Sequence, residues 1–242
     1  MAGRPPAVSD YEIVLGIARS RADSGDPAVT TAEIAERLPI KHEGLGRRLN
    51  DLADRRLVNR KRVGTSYIWW LPETTYAAVE PYVDQVGASR ATGTVTDPIE
   101  TLFDVGRQRF DLEVGAIARV DPDRDYFEVE RASERLAGFE PGTVYPLSET
   151  YCITATSERG PASVDDPVRA ELDDLTVRRD VGFQTYLGTF LDIRGDDDRT
   201  FFFVSTTPRD EPFSDADQAF HDLLGQGAKL ELQGARQSPL YG

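Results

Sequence analysis

Apolar positions in the first third of the chain fall at helical spacing three times, and the period then drops to two. Residues 1–8 read as a loose arm. Ser9 and Glu12 form an S-x-x-E capping box, which opens a helix to about Arg21 with Ile13, Val14, Ile17 and Ala18 on its inner side. A loop over 23–27 follows. Thr30 and Glu33 make a second capping box, and Ala32, Ile34, Ala35 and Leu38 give the helix behind it one apolar side before Pro39 stops it. A third helix begins near Lys41 or His42 with Leu45, Leu49 and Leu52 as its core stripe. After Leu57 the alternation over 58–62, a turn at Gly64, and the run 65–71 predict a β-hairpin. Trp69 and Trp70 must point to opposite faces of their strand, so at most one enters the core. A connecting helix over 73–86, interrupted by Pro81, and a linker over 87–96 (GASRATGTVT) complete this half.

Helix, tight turn, helix and basic hairpin is the sequence form of a winged helix-turn-helix, whose second helix enters the DNA major groove. The charge changes the picture in the same direction. Lys41, Arg47, Arg48, Arg55, Arg56, Arg60, Lys61 and Arg62 stand against only Glu43, Asp51 and Asp54 in the same stretch. An excess of cations in an acidic chain points to a polyanion. The expected base readers are Lys41 and His42 at the helix start, with Arg47 and Arg48 one turn on, since Arg bonds bidentately to guanine. Arg60, Lys61 and Arg62 on the wing are expected at phosphate or an adjacent minor groove. Salt bridging of some arginines to the nearby carboxylates is the structural alternative, and a winged helix that grips protein is another.

The second half opens at Asp97-Pro98-Ile99-Glu100, a cap, a first-turn proline and a capping-box acid in order. Ile99, Leu102, Phe103, Gly106 and Phe110 then follow at helical spacing. Strands are expected over 114–120 and 126–132, around a DPDRD turn at 121–125, with a short extended piece over 142–147. Helical segments are expected over 148–160 and 167–180, and a strand or loop over 161–166. Strands over 183–193 and 200–206 flank the acidic turn RGDDDR, and Ser214 with Asp217 caps a last helix. The order predicts an α+β layer, an antiparallel sheet carrying helices.

The chain has 242 residues, enough for two modest cores, with expected bounds of 1–72 for the first domain, 73–96 for the connection and 97–237 for the second. Its net charge is −14. Of 28 basic residues 13 lie in 1–90 and 15 beyond, while the 42 acidic residues divide 12 and 30, so the acidity belongs to the second half. Lysines are scarce (Lys41, Lys61 and Lys229) and the other basic residues are arginine. High Asp and Glu with few Lys resembles the proteins of halophilic archaea. At ~1 M salt the Debye length is about 3 Å, so an acidic body hardly repels DNA, and short-range fit must carry more of the affinity. No apolar run of about 18 residues occurs, and the first residues lack the apolar stretch of a secretory signal, so a cytoplasmic protein without a membrane span is expected. Cys152 is the lone cysteine, which excludes an intramolecular disulfide.

Several phrases of the second half resemble a GAF domain: LFDVGRQRFDLEVGAIARVD, the run from Tyr145 to Cys152, Ala162 to Asp166, Gly182 to Gly188, and PFSDAD before the last helix. The resemblance covers roughly 97–233. The first half is similar to winged helices of halophilic archaeal regulators, and the whole layout is similar to the IclR-type architecture. That resemblance implies a dimeric transcription regulator that binds double-stranded DNA, with a GAF-like domain sensing a small molecule or a redox signal. It also implies a pocket between sheet and helices, with Ile117, Phe127, Val129, Tyr145, Tyr151, Cys152, Phe183, Thr185 and Tyr186 as wall candidates. The alternatives are a GAF-like domain that only dimerises, and a protein-interaction or signalling module without DNA binding. For Cys152, redox sensing, haem ligation and tetrapyrrole attachment compete with simple packing. The attachment cysteine of bilin-binding relatives is commonly followed by histidine, where this chain has Ile153. The residues specify no cofactor. No G-x-S-x-G, P-loop or H-E-x-x-H run occurs, and the two histidines, His42 and His221, fall in different halves, so no catalysis is expected. DPDRD lacks the Gly and distal Glu of an EF-hand and reads as a solvated turn.

Overall fold

The computed structural model describes residues 8–88, 97–167, 170–193 and 197–234. The chain divides into two compact units, residues 1–98 and 99–242.

The first unit runs α1 (Asp10–Ser24), β1 (Val29–Thr30), α2 (Thr31–Ala35), α3 (His42–Asp54), β2 (Asn59–Val63), β3 (Ser66–Trp70) and α4 (Glu73–Ala88). Both capping boxes form: Ser9 and Glu12 exchange bonds at the start of α1, as do Thr30 and Glu33 at the start of α2. Each satisfies amides that the first helical turn leaves without intrahelical partners. Leu45, Leu49 and Leu52 of α3 are wholly buried with Ile13, Val14 and Ile34. The strands make a small antiparallel sheet in the order β1-β3-β2. Trp69 is the inward tryptophan, at 1% exposure, and its indole N–H donates to the Thr31 hydroxyl over 2.9 Å. Tyr11 ties α1 to α4 by donating to the Ala78 carbonyl at 3.1 Å. Helix α4 continues through Pro81. A proline forfeits its own i−4 bond and kinks a helix, but flanking turns can carry the helix past it. Of the arm expected over 1–8, only Val8 is described, and it is a core residue at 2% exposure. Most of the 87–96 linker lies outside the described residues.

The second unit runs α5 (Pro98–Phe110), β4 (Val114–Asp121), β5 (Tyr126–Ala132), β6 (Val144–Pro146), α6 (Cys152–Glu158), β7 (Pro161–Val164), β8 (Thr185–Leu191), β9 (Asp198–Ser205) and α7 (Asp215–Gly234). Six strands form one antiparallel sheet in the order β6-β5-β4-β9-β8-β7, so the unit is α+β. The alternation of β9 assigns its two faces. Phe201 and Phe203 pack with Phe103 and Phe110 of α5 and with His221 of α7. Phe202 and Val204 join the opposite core, under α6 and the loops. Of the segment expected as a helix over 167–180, the described residues form turns that end in one wide helical turn, Val177–Val181. Glu171 is left-handed there, with φ 56°, which a continuous right-handed helix does not accommodate. Part of RGDDDR lies outside the described residues.

Candidate functional site

The basic stretch of the first unit divides into two groups of side chains. Arg48 turns inward, donating to the Val8 carbonyl and to Asp10, and Arg55 meets the other Asp10 oxygen at 2.7 Å. These two cations fasten α3 to α1. Arg60 bonds Asn50 and Asp54 (2.9 Å to the carboxylate) and stacks 5.9 Å from the Tyr67 ring, fastening the hairpin to α3. Lys41, His42, Arg47, Lys61 and Arg62 remain exposed. Of the seven residues singled out for DNA contact, Arg48 and Arg60 therefore pair with carboxylates, and the other five are exposed along the helix start and the hairpin without a carboxylate partner among the described residues. Arg62 bends back to the Gly64 carbonyl at 3.2 Å across the turn. Lys41 is the N-cap of α3 and supplies no side-chain acceptor, leaving the first-turn amides uncapped from within. Arg56, also exposed, extends the free cations to the far end of α3.

In the second unit the resemblance-based wall residues separate by face. Phe127, Val129, Tyr151, Cys152, Phe183 and Tyr186 belong to one buried cluster, and half-buried Tyr145 packs against it. Ile117 lies on the other side of the sheet: it pairs directly with Phe201, which faces α5 and α7. Thr185 is also on the α7 side, by alternation from Tyr186, and donates to the Thr207 carbonyl at 3.0 Å. Residues one apart on a strand cannot share a face, so neither adjoins the cluster.

That cluster is apolar with a few buried hydroxyls. Phe139 meets Phe183 edge-on at 5.0 Å, and Tyr186 lies 5.8 Å from Phe202. Tyr151 donates to the Phe183 carbonyl at 2.9 Å, and Thr200 donates to the Cys152 sulfur at 3.3 Å. Burial drives the Cys152 thiol up to about 12, with hydrogen bonding from Thr200, Tyr186 and Thr150 offsetting only part of it. The Tyr186 hydroxyl is shut in at 1% exposure and has no well-aligned partner among the described residues; the Thr156 hydroxyl shares that condition. Burial, then the neighbouring Cys152, raises the Tyr186 phenol far above its ordinary value. The ring lies back over Gly188, where any Cβ would overlap the hydroxyl.

Thr200, Phe202 and Phe139 also line the cluster, although neither spacing nor resemblance singles them out as wall candidates. The first two are recoverable from the alternation of TFFFV. Phe139 sits in an irregular loop, where no periodicity marks a core position. At the cluster edge, Glu149 accepts from the Thr176 amide (3.0 Å) and hydroxyl (2.8 Å), which hold its carboxyl low. In the DPDRD turn Asp121 accepts from two following amides, and Asp125 accepts from Ser148 at 2.7 and 2.8 Å. Among the described residues no group of three or more His, Cys, Asp or Glu stands together as metal ligands, and no helix is long and apolar enough to cross a membrane.

No family model matches the chain, and no curated protein matches it. Among solved structures it is similar to the GAF domain of an Acinetobacter phosphoenolpyruvate-protein phosphotransferase, at 12% identity and TM-score 0.48 over 70% of this chain and 99% of that one. It is also similar to the free methionine-R-sulfoxide reductase of Neisseria meningitidis, at 14% identity and TM-score 0.47 over 69% and 93%. A GAF domain/HD domain protein of Geobacter sulfurreducens matches at 21% identity and TM-score 0.44 over 58% and 92%.

Proposed function

We propose that the chain is a two-part signalling protein: a GAF-like sensing unit, residues 99–242, and a winged helix-turn-helix output unit that binds duplex DNA. The output assignment rests on a set of exposed cations that have no carboxylate partner among the described residues. Lys41, Arg47, Arg56, Lys61 and Arg62 are exposed along α3 and the β2–β3 hairpin, against exposed Glu43 and Asp51. Uncompensated charge of one sign on a helix and an adjacent hairpin suits a polyphosphate partner. The sensing assignment is supported by the Tyr186 hydroxyl, which is buried in an aromatic cluster with the Cys152 sulfur, a weak acceptor, as its polar neighbour. Buried polar groups are normally well bonded, so a hydroxyl this poorly satisfied marks a place where a small molecule or water supplies a better partner. A thiolate redox signal fits poorly, because Cys152 is buried and its pKa is about 12. On this reading the protein is a homodimeric, non-enzymatic transcription regulator of the cytoplasm, and its acidic, lysine-poor composition suits high salt.

A second reading, a signalling module whose output unit grips protein, is favoured by the internal pairing of Arg48, Arg55 and Arg60. Genomic-fragment selection in molar KCl separates the two. Enrichment of a palindromic motif supports a dimeric DNA-binding regulator. Enrichment no better than that of a chain lacking the hairpin over 59–70 removes the DNA reading and leaves the protein partner.

A further inference from the structure

The α3 segment departs from local stability at half-buried Gly46 and at exposed Arg56, and no contact among the described residues accounts for either. Gly46 stands in the helix interior, where alanine is favoured over glycine. A Cβ added there would meet no atom within 4 Å. Asn50 donates to the Gly46 carbonyl at 2.8 Å, a bond that a methyl group would leave intact. At the other end α3 closes with two bonds, Leu57 N–H to the Leu52 carbonyl at 2.9 Å and Arg56 N–H to the Ala53 carbonyl at 3.1 Å. This is a Schellman motif, and its left-handed position favours glycine. Here the position is held by Arg56, with φ 61°. Gly25 (φ 74°) and Gly182 (φ 87°) fill the left-handed position at two other helix ends. Arg159 is left-handed after α6, but its guanidinium covers the Phe190 ring at 4.5 Å. Arg56 has no comparable contact among the described residues and is exposed.

We propose that both departures serve duplex DNA: Gly46 lets the α3 backbone lie against base edges in the major groove, and Arg56 contacts a phosphate beside that groove. This rests on the DNA reading above. Gly46 adjoins exposed Arg47 and lies four residues from exposed His42, so it borders the face that a partner of those side chains must meet. The absence of a side chain there shortens the approach. A cation at the end of α3, close in sequence to the hairpin, extends the same positive surface and is worth a left-handed arginine only if something outside the unit uses it.

The test compares Gly46→Ala and Arg56→Gly with wild type in the full chain. The probes are the duplex that wild type enriches from a random-sequence pool, and poly(dI-dC) as non-specific DNA. Trp69 and Trp70 are the chain's two tryptophans and both lie in the first unit, so fluorescence melts report that unit. Gly46→Ala should raise the melting midpoint by about 4–8 °C. It should also weaken the enriched duplex about tenfold and leave poly(dI-dC) nearly unchanged, because a helix held off the groove floor loses base contacts first. Arg56→Gly should keep or raise the midpoint, weaken both duplexes alike, and lower the slope of log K against log salt by about 0.9. Variants that bind like a DNA-binding wild type overturn this inference alone. So does Arg56→Gly that loses stability along with affinity, since the arginine is then structural. Retention of neither duplex by wild type overturns the DNA reading and this inference together.

Discussion

The Asp10 carboxylate accepts the Arg55 guanidinium at 2.7 Å on one oxygen while Arg48 holds the other, so a single acid on α1 anchors two cations of the α3 region. Asp10 and Arg48 are only 18% and 19% exposed at their side chains. Removing the acid therefore strands part-buried positive charge. Asp10→Ala should destabilise the first unit by about 2–3 kcal/mol, read as a lower urea midpoint in tryptophan fluorescence. Loss of under about 0.5 kcal/mol would show that water replaces the carboxylate.

His221 is fully buried among Phe110, Phe201 and Phe203, and burial lowers its pKa from 6.5 to about 3, offset in part by the Phe201 backbone. The folded chain thus refuses a proton that the unfolded chain accepts. Stability is complete above the unfolded value of 6.5 and falls with pH toward 3. Between pH 6.5 and about pH 5 the loss should be about 2 kcal/mol. His221→Leu should remove that slope, checked by urea melts of the second unit followed by circular dichroism. Glu113 adds acid sensitivity only lower down. Burial raises its pKa, but hydrogen bonds from Thr206, Ser205 and Thr207 outweigh that and hold it below 4.5. A slope that survives in His221→Leu would assign the upper window to another group.

Cys152 is buried and its thiol lies near pKa 12. It should resist a disulfide reagent such as Ellman's at mild alkaline pH in the folded protein, and react fully in denaturant. Rapid labelling of the native chain would contradict its placement.

Tyr186 carries a buried hydroxyl without a well-aligned partner. Its polar neighbour is the Cys152 sulfur, a weak acceptor, so deleting the hydroxyl is expected to leave the ligand-free protein as stable or stabilise it by up to about 1 kcal/mol. Tyr186→Phe should therefore melt at or above the wild-type temperature. A marked fall would mean that the hydroxyl is well bonded in solution and would weaken its claim as a ligand contact.

Gly188→Ala should behave oppositely. Its Cβ overlaps the Tyr186 hydroxyl and ring, so the tyrosine must move within a filled core. The expected cost is about 1–3 kcal/mol, measured as a lower melting temperature by circular dichroism.

Elements with local chemical punctuation are legible in the amino-acid sequence alone. The capping boxes Ser9/Glu12 and Thr30/Glu33, the Leu45-Leu49-Leu52 stripe and the Ser214/Asp217 cap all stand where their spacing puts them. Each depends on contacts within one or two turns, and such contacts are written in consecutive residues. The 167–180 segment misleads because its composition suits a helix while Glu171 adopts a left-handed conformation, a fact of its surroundings. The candidate site is legible only in part. Alternation shows that Tyr186 and Thr185 face opposite ways, but not which of them meets the aromatic cluster.

Consecutive residues suffice to mark the capped helix starts, the apolar stripes, an α+β half behind a helical half that carries one basic stretch, and the uneven sharing of charge. Which cations pair with carboxylates depends on the packing of distant segments. Arg47 and Arg48 are neighbours with the same chemistry, yet about 100° of helical rotation leaves one in solvent and brings the other to Asp10, 38 residues away. Tertiary structure likewise decided the strand order β6-β5-β4-β9-β8-β7, the meeting of Cys152 with Thr200, and the placement of Ile117 on the far face. These are pairings between distant segments. Their energy comes from burial and hydrogen bonds completed only when the whole sheet is assembled, so no local stretch encodes them.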